Sequence, residues 1–145
     1  MNIDGSCHCG FIRYEADVDA DRVIICHCTD CQTLSGSAFR VVVQTLPGTF
    51  RLVSGEPRIY RKKSDSGAIR EQGFCPECGT PIFSRPLGDG ERALGLRVGT
   101  ITQRRKLVPK AQYWSRSSQG WLCELADIRE WETQPDFHAD GTFET

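Results

Sequence analysis

Eight cysteines in 145 residues, seven of them in three tight groups, constrain this chain more than any other feature. The groups are Cys7-His8-Cys9, Cys26-His27-Cys28-Thr29-Asp30-Cys31 and Cys75-Pro76-Glu77-Cys78, with Cys123 standing alone. Thiols one or two residues apart are poorly placed to bridge each other but well placed to close on one ion, which favours zinc over a disulfide framework. The start Met1-Asn2-Ile3-Asp4 has neither a basic segment nor an apolar one behind it, so we expect a reducing, cytoplasmic setting in which thiols stay free.

Length and charge narrow the rest. A chain of 145 residues matches one domain, which we place at 1–132, followed by a polar tail at 133–145 broken by Gly and Pro. No apolar run approaches the roughly 20 residues that cross a bilayer. With 18 Lys+Arg against 19 Asp+Glu, a net charge of −1 offers no general field for nucleic acid or a membrane surface. Any anionic ligand is therefore held locally. The runs Arg61-Lys62-Lys63 and Arg104-Arg105-Lys106 read as solvated faces, either of which could meet a carboxylate. Nothing here specifies an oligomeric state.

The residue pattern predicts a mainly β fold. Phe11–Val18, Val23–Ile25, Phe39–Val43, Thr49–Val53, Arg58–Tyr60 and Ala93–Val98 are short and β-rich. Between them lie turn signals at Pro47-Gly48, Gly55-Glu56-Pro57, Ser64–Gly67 and Pro86–Gly90. One short helix is expected at Asp30–Ser35, with Thr29 and Gln32 forming a capping box and Gly36 the stop. Cys31 then sits in its first turn, where free amides would lower its pKa. A second short helix is expected at Asp127–Glu132.

Ligand counting divides the thiols into two sites. Cys75-Pro76-Glu77-Cys78-Gly79 reads as a zinc knuckle in which Gly79 supplies a left-handed turn. In an extended segment Cys7 and Cys9 would face one side together and could complete it. Cys26, Cys28 and Cys31 then remain as three protein ligands, the pattern of an open site with room for water or substrate. The rival assignment gives that cluster a fourth ligand from Cys123, His27 or His138. By strand alternation His27 points away from Cys26 and Cys28, and Cys123, after Trp121-Leu122, reads as a buried small hydrophobe. An open, sulfur-rich zinc suits binding a soft thiol as its thiolate, a nucleophile toward an electrophilic carbon. No Ser-His-Asp set, P-loop or dinucleotide fingerprint competes; Gly95-Leu96-Arg97-Val98-Gly99 lacks the glycine pattern.

Three blocks together carry a family resemblance. They are Gly5-Ser6-Cys7-His8-Cys9-Gly10 with Ile12 and Tyr14, Cys26-His27-Cys28 through Cys31 with Ser35–Phe39, and Phe74-Cys75 through Cys78-Gly79. Gly99-Thr100, Pro109 and Tyr113-Trp114-Ser115 to Trp121 follow near the end. Over about residues 5–122 the chain resembles the glutathione-dependent formaldehyde-activating family, which shares its domain with the centromere protein V group. The resemblance implies an Mss4-like, β-tent fold with two zinc ions per chain. It assigns Cys7, Cys9, Cys75 and Cys78 to a structural zinc, and Cys26, Cys28 and Cys31 to a second zinc that takes the thiol of glutathione. The implied activity is a carbon–sulfur lyase in reverse, adding glutathione to formaldehyde or another small aldehyde to give S-(hydroxymethyl)glutathione. The alternative is a non-catalytic, zinc-stapled thiol carrier or protein-interaction module. Where many members follow Gly-Thr with an aliphatic residue and an acidic pair, this chain has Ile101-Thr102-Gln103.

Overall fold

The computed structural model describes residues 1–145 except 65, 66, 89, 136, 137, 141 and 143–145. Among the described residues nine strands form one mainly antiparallel sheet that runs β1 (Asn2–Ser6), β2 (Arg13–Cys26), β3 (Arg40–Thr45), β8 (Gly95–Arg97), β7 (Pro81–Pro86), β6 (Ile69–Phe74) and β5 (Arg58–Lys63). The remaining strands, β4 (Arg51–Ser54) and β9 (Ala111–Tyr113), both pair with β2, the latter in parallel. Among the described residues helical structure is confined to α1 (Thr29–Ser35) and short 3₁₀ turns, the longest at Gly120–Asp127. None is long and apolar enough to cross a membrane.

The two segments expected as separate strands at Phe11–Val18 and Val23–Ile25 are one strand. The register jumps between Val18, opposite Thr45, and Val23, opposite Val43, so a bulge bends β2. Its first half pairs with β1 and β4, and its second half with β3 and β9. The polar stretch Asp19–Arg22 that broke the sequence pattern is this bulge. The helix expected at Asp127–Glu132 is not there; the 3₁₀ turn ends at Asp127 instead. Strand β8 is shorter than the expected Ala93–Val98, because Val98 opens a 3₁₀ turn. Part of the Ser64–Gly67 and Pro86–Gly90 turns, and of the tail from 133, lies outside the described residues.

Strand alternation sorts the sheet into two faces. On the inner face Ile3, Tyr14, Ala16, Val18, Val23, Val43, Phe83 and Leu96 form a single buried core. Phe50 bridges its halves, with its ring 5.5 Å from both Tyr14 and Phe83. Burying each of the larger aliphatic and phenyl side chains contributes about 1.5–3 kcal/mol. Close approach is needed at Gly73, where a Cβ would meet the Phe83 ring at 2.4 Å. On the outer face of the same strands lie Ile24, Cys26, Arg40, Val42, Gln72, Ser84 and Arg97. That face is the floor of the site described next.

Candidate metal centres and the cationic groove

Two hairpin turns make the first centre. Between β1 and β2, Gly10 at φ 78° lets its amide reach Cys7 O at 3.1 Å, while Cys7 N donates to Ile12 O. Between β6 and β7, Gly79 at φ 72° lets its amide reach Cys75 O at 2.9 Å, while Cys75 N donates to Thr80 O. The left-handed turn expected at Gly79 is therefore present. Cys7 and Cys9, by contrast, meet through a turn and not along an extended strand, since β1 ends at Ser6. His8 N donates to Thr80 Oγ1 at 3.2 Å, tying the two turns together.

The four sulfurs lie within 4.8 Å of one another, with Cys7–Cys9 at 3.5 Å and Cys9–Cys75 at 3.8 Å. Thiolates about 2.3 Å from a tetrahedral zinc stand about 3.8 Å apart, so this set fits such an ion. Donors are already aimed at the sulfurs: Ile12 N reaches Cys7 Sγ at 3.2 Å, and the Thr80 hydroxyl lies 3.1 Å from Cys78 Sγ. The Thr80 hydroxyl and amide hold the Cys78 thiol down at about 5.

The second cluster forms where β2 runs into α1. Cys26, Cys28 and Cys31 bring their sulfurs within 4.8 Å of one another. The helix starts as expected, but its cap differs. Cys28, not Thr29, is the N-cap, and its sulfur accepts from Cys31 N at 3.3 Å. Gln32 therefore does not complete a capping box. Its Nε2 donates to His27 O and Ser117 O, at 2.7 and 2.8 Å, and so fastens the helix to the later segment. Gly36 closes the helix in the left-handed conformation, φ 62°. The expectation that Cys31 has the lowered pKa is reversed. Cys31 donates to the Cys26 thiolate, which drops to about 5, while Cys31 itself is pushed up by that same bond and by burial. The Cys26 charge is thus stabilised at the expense of Cys31, a conflict that a bound cation would relieve.

None of the three suggested fourth ligands joins this cluster among the described residues. His27 is buried and turns its Nε2 to Gln112 Oε1 at 2.8 Å, with its ring edge-on to Phe39. Cys123 is exposed, contrary to the buried position expected of it, and its thiol donates to Gly120 O at 3.1 Å. His138 is exposed in the tail. The resulting asymmetry is chemical: four sulfurs in one centre, three in the other.

The three-thiol cluster lines a groove of about 1030 Å³, whereas none of the four-thiol set does. Among the groove's lining residues Arg22, Arg40, Lys62, Arg70, Arg92, Arg97 and Lys110 face only Asp21, Asp30 and Glu91. A chain of near-zero net charge thus concentrates positive charge at one place. Lys62, expected on a solvated face, lines the groove and is paired with Asp30, whereas Arg61 pairs with Glu71 at 2.9 Å. Tyr113 and Trp114 form part of one wall; Trp114 has a left-handed backbone, φ 58°, and Arg116 stacks on its ring at 4.9 Å.

Two floor residues went unnoticed in the sequence. Arg40 and Arg97 are 6% and 8% exposed, and each keeps one nitrogen, Arg40 Nη2 and Arg97 Nε, without a partner. Burial depresses both guanidinium pKa values, and the Arg40 charge helps to bring Arg97 to about 9; both remain cationic at neutral pH. A single cation inside an apolar strand, as in Arg40 before Val41-Val42-Val43 or Arg97 between Leu96 and Val98, was the available signal.

The profile of the glutathione-dependent formaldehyde-activating enzymes matches residues 2–117. The chain belongs to that family. No curated protein matches. The crystal structure of a Rhodobacter sphaeroides structural-genomics target shares the fold, with TM-score 0.57 and 18% identity over 75% of this chain and 98% of that one. Thr102 and Gln103, which follow Gly99-Thr100-Ile101, donate to Asp4 at 2.7 and 2.6 Å. Neither lines the groove.

Proposed function

We propose that this protein is a zinc-dependent enzyme that joins the thiol of glutathione, or of a related anionic thiol, to formaldehyde or another small aldehyde. In this reading Cys7, Cys9, Cys75 and Cys78 hold a structural zinc, and Cys26, Cys28 and Cys31 hold the catalytic one. The observation that carries it is the three-thiol cluster in the floor of a cation-lined groove large enough for a tripeptide, with the four-thiol set outside it. When bound there, zinc would supply a Lewis-acidic position that favours a substrate thiolate at neutral pH.

The chain's own residues do the remainder. Cations on the groove walls, Arg22, Arg70 and Lys110 among them, attract and orient the carboxylates of the thiol substrate. Thiolate attack on the aldehyde carbon forms the C–S bond and moves the C=O electron pair onto oxygen. The Ser84 and Tyr113 hydroxyls, both lining the groove, can donate to that oxygen as its charge develops, and the proton released by the thiol is returned to it through water.

The test follows formation of S-(hydroxymethyl)glutathione by exchange NMR with zinc-loaded protein. Acceleration of at least tenfold over the uncatalysed reaction, lost in Cys31→Ser, is expected. Glutathione binding with no acceleration would identify a thiol carrier and overturn the enzymatic reading.

A further inference from the structure

The groove holds more positive charge near the thiols than formaldehyde needs. Arg40 sits directly across the β2–β3 ladder from Cys26, and Arg97 lies one strand further on, opposite Val42. Register partners share a face, so Cys26, Arg40, Val42 and Arg97 all present their side chains to the groove floor. Among the described residues neither arginine forms an ion pair with a carboxylate, and each retains an unpartnered nitrogen although more than nine-tenths buried. Gln72 Oε1 accepts from Arg97 Nη2 at 2.5 Å and so fixes one arm of the guanidinium. Two buried cations that repel each other are costly; the sulfurs of Cys26 and Cys31 supply part of the compensating negative charge, and the unpartnered nitrogens leave room for a further anion.

From this arrangement we infer that Arg40 and Arg97 form a carboxylate-binding subsite, and that the carboxylate belongs to the carbonyl substrate, making it a small 2-oxo acid or carboxylated aldehyde such as glyoxylate. The inference rests on the proposed thiol addition for its chemistry, but not for the subsite itself. Planar guanidinium forks match a carboxylate in geometry as well as in charge. Adjacent antiparallel strands place Arg40 about 5 Å from Cys26 at the backbone, close to the reacting centre. In a 2-oxo acid the carboxylate is bonded to the carbonyl carbon itself, which suits that proximity. The carboxylates of glutathione are removed from its sulfur by a residue's length and fall to the cations further out. Thiolate addition to the aldehyde carbon of glyoxylate forms one C–S bond and opens the C=O bond to an alkoxide. The alkoxide takes up the proton the thiol lost, giving a carboxylated hemithioacetal with no other reactant.

The experiment is calorimetric titration of the zinc-loaded full chain with oxamate, an unreactive monoanionic analogue of glyoxylate, and with neutral oxamide of similar size. Oxamate should bind and oxamide should not. Oxamate should still bind with glutathione saturating, and its affinity should fall at least tenfold in Arg97→Gln. Arg40→Gln serves the same purpose if Arg97→Gln does not fold. Absence of oxamate binding, equal binding of oxamide, or unchanged affinity in a folded variant would overturn the subsite. Displacement of oxamate by glutathione would show that the arginines or the metal serve the thiol substrate instead, and would overturn the assignment to the carbonyl partner. If glutathione itself fails to bind, the thiol-addition reading falls while the oxamate titration still decides the subsite.

Discussion

Cys26 and Arg40 face each other across the β2–β3 ladder, so a metal-ligating type of side chain and a buried guanidinium share one face of one sheet. The pairing sets the groove's character: sulfur chemistry at its floor, with fixed positive charge beside it. Because one residue of register slip would turn Cys26 and Arg40 to opposite faces of the sheet, the bulge in β2 that sets this register is part of the site.

The four-thiol cluster brings the β1–β2 and β6–β7 turns together, and a metal bound there would contribute directly to folding. Cys78→Ser should lose one zinc and at least about 4 kcal/mol, which lowers Tm by on the order of 10 °C for a chain of this size. Calorimetric melting with metal analysis checks this. A soluble variant with full zinc content and unchanged melting would remove the structural role.

Cys123 supplies the contrast. Its thiol is exposed and, among the described residues, bonds the nearby Gly120 carbonyl. Cys123→Ala should retain every bound zinc and change stability by no more than about 0.5 kcal/mol. Loss of one zinc equivalent from this variant would make it a ligand after all.

Gly5 is enclosed on β1, where a Cβ would lie 2.4 Å from the Tyr14 ring and 2.6 Å from the Thr100 carbonyl. Tyr14 has no room to retreat, being buried and hydrogen-bonded to Thr100 Oγ1 at 2.6 Å. Gly5→Ala should cost about 3 kcal/mol by overpacking. Denaturant unfolding measures it, and a loss below about 1 kcal/mol would mean that the strand shifts freely.

Glu71 gives the sheet an acid dependence. Hydrogen bonds from Arg85 and Arg61, at 2.8 and 2.9 Å, hold its carboxyl below the ordinary 4.5. A depressed folded pKa gives stability that is present above 4.5 and lost as the pH falls through the lower folded value. Wild type should therefore lose stability more steeply than Glu71→Gln below about pH 4.5. Both variants release metal in acid alike, so the difference between their Tm curves isolates Glu71; parallel curves would contradict the ion-pair account.

The cysteine groups were legible in the sequence because metal ligation depends on spacing, which the chain displays directly. Spacing likewise found α1 and its Gly36 stop. It did not show that Asp19–Arg22 is a bulge within one strand, because polar residues read the same in a bulge as in a loop. It also missed β6 and β7, whose outer face carries the groove residues Arg70, Gln72 and Ser84 in place of an apolar stripe. Arg40 and Arg97 were hidden for a different reason. Their meaning depends on which strands lie side by side, a long-range relationship that local alternation does not encode.

The central claim is that one metal centre is closed and the other open to a thiol. Reconstitution with cobalt(II), followed by glutathione titration of the visible sulfur-to-metal bands, tests it most directly. The account predicts two cobalt ions per chain, with the spectrum of one altered by glutathione. It also predicts that Cys31→Ser abolishes that change while melting close to the wild type, and that Cys78→Ser loses one metal ion and melts on the order of 10 °C lower. A spectrum indifferent to glutathione, or equal collapse of Cys31→Ser and Cys78→Ser, would contradict it.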